Sequence, residues 1–306
     1  MALPFRSRDI VLLAVVFSSM AAGICCPAVF AFLQPYPLLC LMILFFMSFL
    51  SIRLEAVREA LHRASLPILS IVVLKMFLLP VALYFVFLYV LPDYAVAALL
   101  LTGVSTGVVA PFMSNLVGGN SARVLVVTII TSILVPFSLP AVVGIVLAKS
   151  VHLSFWDMLQ VLALAIFVPI AAVQVLRRWA PRWLDAANRR SYPVNLVMFA
   201  LINLGVFSKF AGIFYTDPTL IVEAAIVDIV LSVVYCVVGI LFFLGRPIED
   251  RVGGAVMLAH MNNILLVVFC SHFFGPRETM VAAMYLLPFF GLVLPLRYYR
   301  GRIEGN

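Results

Sequence analysis

The stretch ILSIVVLKMFLLPVALYFVF, residues 68–87, is a continuous apolar run that carries a single lysine, Lys75, near its middle. A run of about 20 apolar residues is long enough to cross a bilayer as an α-helix. Pro80 follows Lys75 after little more than one turn. A lysine at the centre of a bilayer costs at least about 2.5 kcal/mol. The stretch therefore predicts a membrane-spanning helix with a buried charge that needs a physical reason.

Similar apolar runs recur along the whole chain. Of its 306 residues, 65% are hydrophobic and 11% are charged, whereas soluble proteins carry about 25% charged residues. The runs are continuously apolar and do not alternate at every second residue, which excludes a transmembrane β-barrel. The sequence predicts an all-α polytopic membrane protein that lies in the lipid bilayer.

Ten transmembrane helices are predicted from these runs. Their approximate ranges are 9–32, 37–52, 67–90, 93–114, 122–148, 154–176, 193–213, 219–245, 252–272 and 279–296. Residues 1–176 then hold a first five-helix repeat plus helix 6. Residues 177–193 form a cytoplasmic linker, and residues 193–306 hold helices 7–10 of the same membrane domain.

Two of the predicted helices are irregular, and they are the fourth in each half of five. Helix 4 contains Gly103, Gly107 and Pro111, and helix 9 holds His260, Asn262 and Asn263 in its middle. An odd number of helices per half makes the two halves enter the membrane from opposite sides, so repeats would be inverted. Interrupted helices at matched positions of inverted repeats indicate the binding site of a transporter.

Basic residues set the orientation and account for the net charge of +7. With the N-terminus inside, 16 of the 20 Lys and Arg residues face the cytoplasm, against Lys149, Lys209 and Arg277 outside. This is the distribution that the positive-inside rule describes. We expect a multi-pass protein of the cell (inner) membrane with both termini in the cytoplasm, and no nucleic-acid partner.

Other function classes lack their motifs. The chain has no soluble domain, phosphate-binding glycine loop or nucleotide motif, so we expect no ATP as a partner and no cofactor. Four scattered histidines without metal-ligand spacing argue against an intramembrane enzyme. A ligand-sensing membrane protein stays open as an alternative, although no signalling domain is attached.

Three stretches resemble the bile acid:sodium symporter family, in its bacterial type. They are APFMSNLVGGNSARVLVVTIITSILVPFSLP (110–140), MLAHMNNILLVVF (257–269) and MILFFMSFLSIRLEAVREALHRASLPILSIVVLKMFLLP (42–80). The resemblance implies two inverted repeats, with discontinuous helices 4 and 9 crossing near the bilayer midplane. It also implies a core domain of helices 3–5 and 8–10 that moves against a panel of helices 1, 2, 6 and 7. Members carry small organic anions, commonly with sodium, and we expect a monomer.

The resemblance also implies candidate site residues. Ser114 and Asn115 match the sodium-binding pair and Thr128 matches a threonine ligand, so these three could form a residual sodium site. Asn262 and Asn263 match a Gln-Asn pair of helix 9. Helix capping by Ser114 and Asn115, and bonds from Thr128, Thr131 and Ser132 to their own helix carbonyls, are the structural alternatives.

Three positions depart from the family pattern. A serine ligand appears as Val124, the helix 9 glutamate as Leu258, and a helix 3 glutamine as Lys75. Two sodium ions need a carboxylate and are repelled by a nearby ammonium. We therefore expect the Lys75 ammonium to replace one sodium ion and to donate to carbonyls or amides of the helix 9 break.

Alternatives to this role of Lys75 stay open. Its proton could serve as the coupling ion, and His260 is a second candidate proton carrier. Lys75 could instead pair with Asp228 on helix 8, the inverted counterpart of helix 3. The predicted function is secondary transport of a small organic anion by alternating access, without two sodium ions. A symporter using one residual sodium site is the alternative in the same class.

Overall fold

The computed structural model describes residues 7–50, 62, 65–147 and 154–304 of the 306. Part of the orientation prediction falls elsewhere: Arg6, Arg53, Arg58, Arg63 and Lys149 lie outside the described residues. Within the described ranges the secondary structure is helical, and the extended backbone is limited to one isolated β-bridge between Thr106 and Met261. The prediction of an all-helical polypeptide is confirmed.

The helices follow one another with short connections. In the first part of the chain they are α1 (Ser7–Cys25), α2 (Pro27–Phe30), α3 (Pro37–Phe49), α4 (Leu66–Val73), α5 (Leu79–Val90), α6 (Ala95–Gly103), α7 (Ala110–Val117), α8 (Ser121–Leu147) and α9 (Phe155–Trp179). In the second part they are α10 (Pro181–Arg189), α11 (Ser191–Thr216), α12 (Thr219–Phe242), α13 (Ile248–Ala259), α14 (Asn263–Phe273), α15 (Pro276–Met284), α16 (Leu286–Gly291) and α17 (Val293–Glu304). The predicted linker 177–193 thus contains a helix of its own, α10.

Six helical stretches of the described chain are long and apolar enough to cross a membrane. They are Leu66–Val90, Ser121–Leu147, Phe155–Trp179, Ser191–Thr216, Thr219–Phe242 and Pro276–Ile303. A bent pair at the N-terminus makes a seventh if it counts as one span. The remaining predicted spans fall on shorter helices: α3, and the halves of the interrupted helices 4 and 9. A multi-pass membrane protein is therefore what the structure supports.

The first predicted span, 9–32, is not one continuous helix as expected. The axis turns by 108° between Ala14–Cys25 and Pro27–Leu33. Proline at position 27 cannot donate a backbone hydrogen bond, and the residue before a proline is pushed out of the α region. Cys26 accordingly has φ −128° and ψ 54°.

The opening stretch 68–87 also departs from a regular α-helix. Between α4 and α5, residues Leu74–Leu78 form a π-helical turn, and Pro80 follows in the first turn of α5. A proline cannot donate to the carbonyl four residues earlier, and its ring crowds that carbonyl. A wider turn relieves the crowding, and single π-turns of this kind are frequent at functional sites. Lys75 is the second residue of this turn.

Exposure along α12 shows how the bundle divides lipid from core. Large apolar side chains at helical spacing are exposed on one face: Ile226, Val230, Val233 and Val237. On the opposite face Ala224, Asp228, Leu231 and Tyr235 are buried. An apolar outward stripe suits contact with lipid chains, while polar side chains inside a membrane protein face the bundle interior.

Candidate functional site

The predicted interruptions of helices 4 and 9 are present and lie against each other. The first break, residues 104–109, separates α6 from α7, and the second, residues 260–262, separates α13 from α14. The Gly107 amide donates to the His260 carbonyl (2.8 Å), and the Asn262 amide donates to the Ser105 carbonyl (2.9 Å). Because backbone groups freed from a helix must find partners inside a membrane, each break satisfies the other.

Gly107 is required for this close approach. A Cβ atom at position 107 would lie 2.7 Å from the Met261 carbonyl oxygen. Thr106, beside it, is held from both sides. Its amide donates to Thr131 Oγ1 (3.1 Å) and its hydroxyl donates to the Met257 carbonyl (2.8 Å). The first break is thereby tied to α8 and to the end of α13.

The C-terminal end of α13 is the most polar point of the buried core. A helix leaves its last four carbonyls without partners inside the helix. Here each one accepts a hydrogen bond: Val256 from the His260 amide (3.0 Å), Met257 from Thr106, Leu258 from Lys75 Nζ (3.5 Å) and Ala259 from the Tyr285 hydroxyl (2.7 Å). Three of these four donors come from other helices or from the first break, so the end of α13 is fixed by tertiary contacts.

Lys75 is the only charged group among those four donors. Its side chain is 1% exposed, and it reaches the carbonyl of Leu258, the position where the family resemblance implies a glutamate. The C-terminal end of a helix carries about half an elementary negative charge. A cation placed there offsets that charge without any carboxylate.

Lys75 and Asp228 do not form an ion pair in this conformation. Asp228 is fully buried, and neither of its carboxylate oxygens has a hydrogen-bond partner within the described chain. It lies within electrostatic reach of Tyr235 and Tyr285. The Tyr235 hydroxyl shares a hydrogen bond with Thr102 Oγ1 (2.7 Å). Asp228 is thus a second, separate ionisable group of the core.

His260 lies in the second break and is completely buried. Its ring meets Phe289 edge-on, with 4.8 Å between ring centroids. Neither ring nitrogen has a hydrogen-bond partner of ordinary geometry in the described chain, although the backbone of Val256 and Phe289 is close enough to act on it electrostatically. The two neighbouring amides differ. Asn262 caps α14 by accepting from the Leu265 amide (3.4 Å), whereas both polar atoms of Asn263 lack a partner.

A cavity of about 160 Å³ opens at the two breaks. Residues 107–109 and 261–264 form one wall, and α1, α3, α11 and α16 supply the others. The lining is mostly apolar, with Ser48, Asn195, Asn262 and Asn263 as its polar side chains. Both N-terminal ends of the second half-helices, Val109 before α7 and Asn262 before α14, lie in this wall. Such ends carry partial positive charge.

The three residues of the expected sodium site are not brought together by hydrogen bonds. Ser114 and Asn115 lie past the break, in the last turns of α7. Asn115 is exposed and borders a surface pocket with Arg297 and Arg300, whereas Ser114 is buried without a hydrogen-bond partner in the described chain. Thr128 donates to the carbonyl of Val124, in its own helix (2.9 Å). Its neighbour Thr131, not Thr128, contacts the first break.

The sequence matches the SBF-like CPA transporter family over residues 9–290, which is nearly the whole chain. The chain belongs to this family. It is therefore a membrane transporter of the bile acid:sodium symporter-like type and not an enzyme. No curated protein sequence matches it.

Four residues of this SBF-like transporter contact the site but were not singled out as candidates from the sequence. Thr106, Tyr285 and Thr131 bind the breaks, and Asn195 lines the cavity from α11. Thr106 lies between the two glycines of helix 4, which was a usable signal. Tyr285 and Asn195 come from distant helices, and their places depend on tertiary packing.

Proposed function

We propose that this SBF-like transporter is a secondary carrier of a small organic anion that works by alternating access without two coupled sodium ions. In this proposal the Lys75 ammonium occupies the place of one sodium ion. The hydrogen bond from Lys75 Nζ to the Leu258 carbonyl, at the negative end of α13, is the observation that carries it.

The proposed architecture has ten spans in two inverted five-helix repeats. Support comes from the two interrupted helices, α6–α7 and α13–α14, whose breaks pair with each other. Lys75 is the tenth residue of the span Leu66–Val90, and Asp228 is the tenth residue of Thr219–Phe242. A core of helices 3–5 and 8–10 would move against the panel, with both termini on the cytoplasmic side of the cell membrane.

The cavity supports an anionic substrate with an apolar body. Two half-helix N-termini meet there, and exposed helix N-termini bind anions through their free amides and partial positive charge. The partnerless amide of Asn263 can orient a carboxylate or its neighbouring groups. The apolar walls on α1, α3, α11 and α16 suit a hydrophobic remainder. The cavity lies between the proposed panel and core, where a moving core would expose it to either side.

The coupling part of the proposal is electrostatic. At an effective dielectric of about 20, two unit charges 4 Å apart interact by about 4 kcal/mol. A sodium ion beside the Lys75 ammonium would meet this repulsion, and Leu258 offers no carboxylate to offset it. A covalently held cation therefore replaces a travelling one at this end of α13.

Uptake into proteoliposomes tests the proposal. Radiolabelled taurocholate, pyruvate and pantoate serve as probes, in sodium and in potassium at equal ionic strength. We expect uptake of at least one probe in both salts, and exchange of preloaded probe by counterflow, which a ligand sensor would not show. In Lys75→Gln the uptake falls or becomes sodium-dependent.

Lys209→Gln is the matched control, because Lys209 also donates to a backbone carbonyl, of Ser271 (2.6 Å), but lies exposed. It should leave uptake unchanged. Parent uptake that collapses without sodium and moves two sodium ions per substrate would overturn the proposal. Sodium-dependent parent uptake lost in Asn115→Ala would instead favour the residual one-sodium site.

A further inference from the structure

Asp228 is the buried ionisable group that the proposed transport mechanism does not use. It is 0% exposed, and both carboxylate oxygens lack partners in the described chain. An ionised carboxylate buried without a partner costs several kcal/mol and takes up a proton instead. In this conformation the group is therefore a neutral carboxylic acid.

The ionisable groups around Asp228 leave it without a countercharge. Its electrostatic neighbours are Tyr235, one face along α12, and Tyr285, at the end of α15. The charged residues of the elements packed against α12 lie at their ends: Glu249, Asp250 and Arg251 on α13, and Arg277 and Glu278 on α15. None of these makes an ion pair with Asp228, and Lys75 donates elsewhere. A proton is then the cation that neutralises this site.

A second cavity, of about 370 Å³, reaches the same turn of α12 from the predicted outer side. Asp93, Tyr94 and Glu223 form its polar wall, and the Tyr94 hydroxyl donates to Glu223 Oε2 (2.6 Å). Ile226 and Val227, which complete its wall on α12, immediately precede Asp228. Water in this cavity is separated from the carboxyl group by the packing around one residue.

On its inner side Asp228 is linked to both broken helices through tyrosines. Tyr235 is hydrogen-bonded to Thr102, near the end of α6, and Tyr285 donates to the Ala259 carbonyl, at the end of α13. The rings of the two tyrosines are 6.2 Å apart between centroids. Ionisation of Asp228 would place a negative charge beside two hydroxyl groups that hold the ends of these half-helices.

We propose that Asp228 is a proton-binding site that exchanges with the outer cavity and whose protonation acts on both helix breaks through Tyr235 and Tyr285. The exchange is the uptake of one proton by a carboxylate to give a carboxylic acid, and its release. This proposal adds to the transport proposal and does not depend on the substrate.

Infrared difference spectroscopy of the purified full-length chain, between neutral and alkaline buffer, tests it without any substrate. Exposed carboxyl groups are already ionised at neutral pH, so only a buried acid loses its carbonyl-stretch band on this change. We expect the parent to lose such a band, with a shift in deuterated buffer. Asp228→Asn should lack the titrating band, Asp228→Glu should retain one at a shifted position, and Asp93→Asn should match the parent.

Asparagine has the shape and neutrality of the protonated acid, so Asp228→Asn should fold. Should it fail to fold, the Asp228→Glu band shift still assigns the site. A parent without a titrating band, a band that persists in folded Asp228→Asn, or a band that does not move in Asp228→Glu would overturn the proposal. Each of these outcomes is independent of whether taurocholate, pyruvate or pantoate is transported.

Discussion

Two lysines in this molecule make the same contact in opposite environments. Lys75 Nζ donates to the Leu258 carbonyl at the end of α13, and Lys209 Nζ donates to the Ser271 carbonyl at the end of α14. These helices are the two halves of one interrupted span. Lys75 is buried, whereas Lys209 is exposed and lies 5.2 Å from the ring centroid of Phe210.

The difference between the two ends separates a helix cap from a site charge. A lysine near a helix C-terminus commonly binds the last carbonyls and offsets the helix dipole at little cost when water surrounds it. The same ammonium in a dry interior must overcome the loss of its hydration. A cation at the buried end of α13 therefore calls for a functional reason, while the one at the end of α14 does not.

Charge reversal should separate the two lysines most strongly. Lys75→Glu places a carboxylate against a carbonyl at the negative end of α13, and breaking a buried charge contact costs about 3–5 kcal/mol. We expect a large fall in the melting temperature in detergent and little folded protein. Lys209→Glu should melt close to the parent. Equal losses in the two variants would mean that burial does not distinguish the two ends.

Gly107→Ala should have the next largest effect. Its Cβ would lie 2.7 Å from the Met261 carbonyl oxygen, and overpacking in a close contact costs about 1–3 kcal/mol. The pairing of the two breaks should loosen, with a lower melting temperature and reduced uptake. Gly212→Ala, in α11, where a Cβ would meet nothing within 4 Å, is the control. A Gly107→Ala protein as stable and active as this control would show that the breaks need not approach closely.

Tyr285→Phe should have the smallest effect of the three. It removes the donor to the Ala259 carbonyl, next to the one that Lys75 binds, and a hydrogen bond contributes about 1 kcal/mol net. Tyr215→Phe removes a similar bond, to the Ile24 carbonyl (3.1 Å), from a side chain that is 67% exposed. Thermal melting of both variants should show a fall for Tyr285→Phe alone. A fall in both would place the two bonds on an equal footing.

Sequence patterns reach far into this fold because a bilayer admits few backbone conformations. Apolar runs predicted the helices, and Gly103, Gly107 and the polar residues 260–263 predicted the two interruptions that the structure contains. The bend at Cys26 was missed, although Pro27 was its visible signal. Lys75 was expected at the helix 9 break, and its nitrogen does reach the carbonyl of Leu258.

The parts of the site that depend on tertiary packing were beyond the sequence. Ser114 and Asn115 were matched as a pair at a break, but the break ends at residue 109 and the pair lies farther along α7. A shift of one helical turn changes which side chains face the cavity, and a short motif does not fix that register. The Tyr285 contact with Ala259 and the position of Asn195 in the cavity arise from helices that meet only after folding.

The most direct measurement of the central claim is the melting temperature of three proteins in sodium and in potassium at equal ionic strength. The account predicts no sodium effect for the parent, because Lys75 holds the place of the ion, and none for Lys209→Gln. It predicts that Lys75→Gln melts at a higher temperature in sodium than in potassium, because a ligand that binds only the folded state stabilises it. A parent protein that is itself stabilised by sodium, with Lys75 in place, would contradict the account.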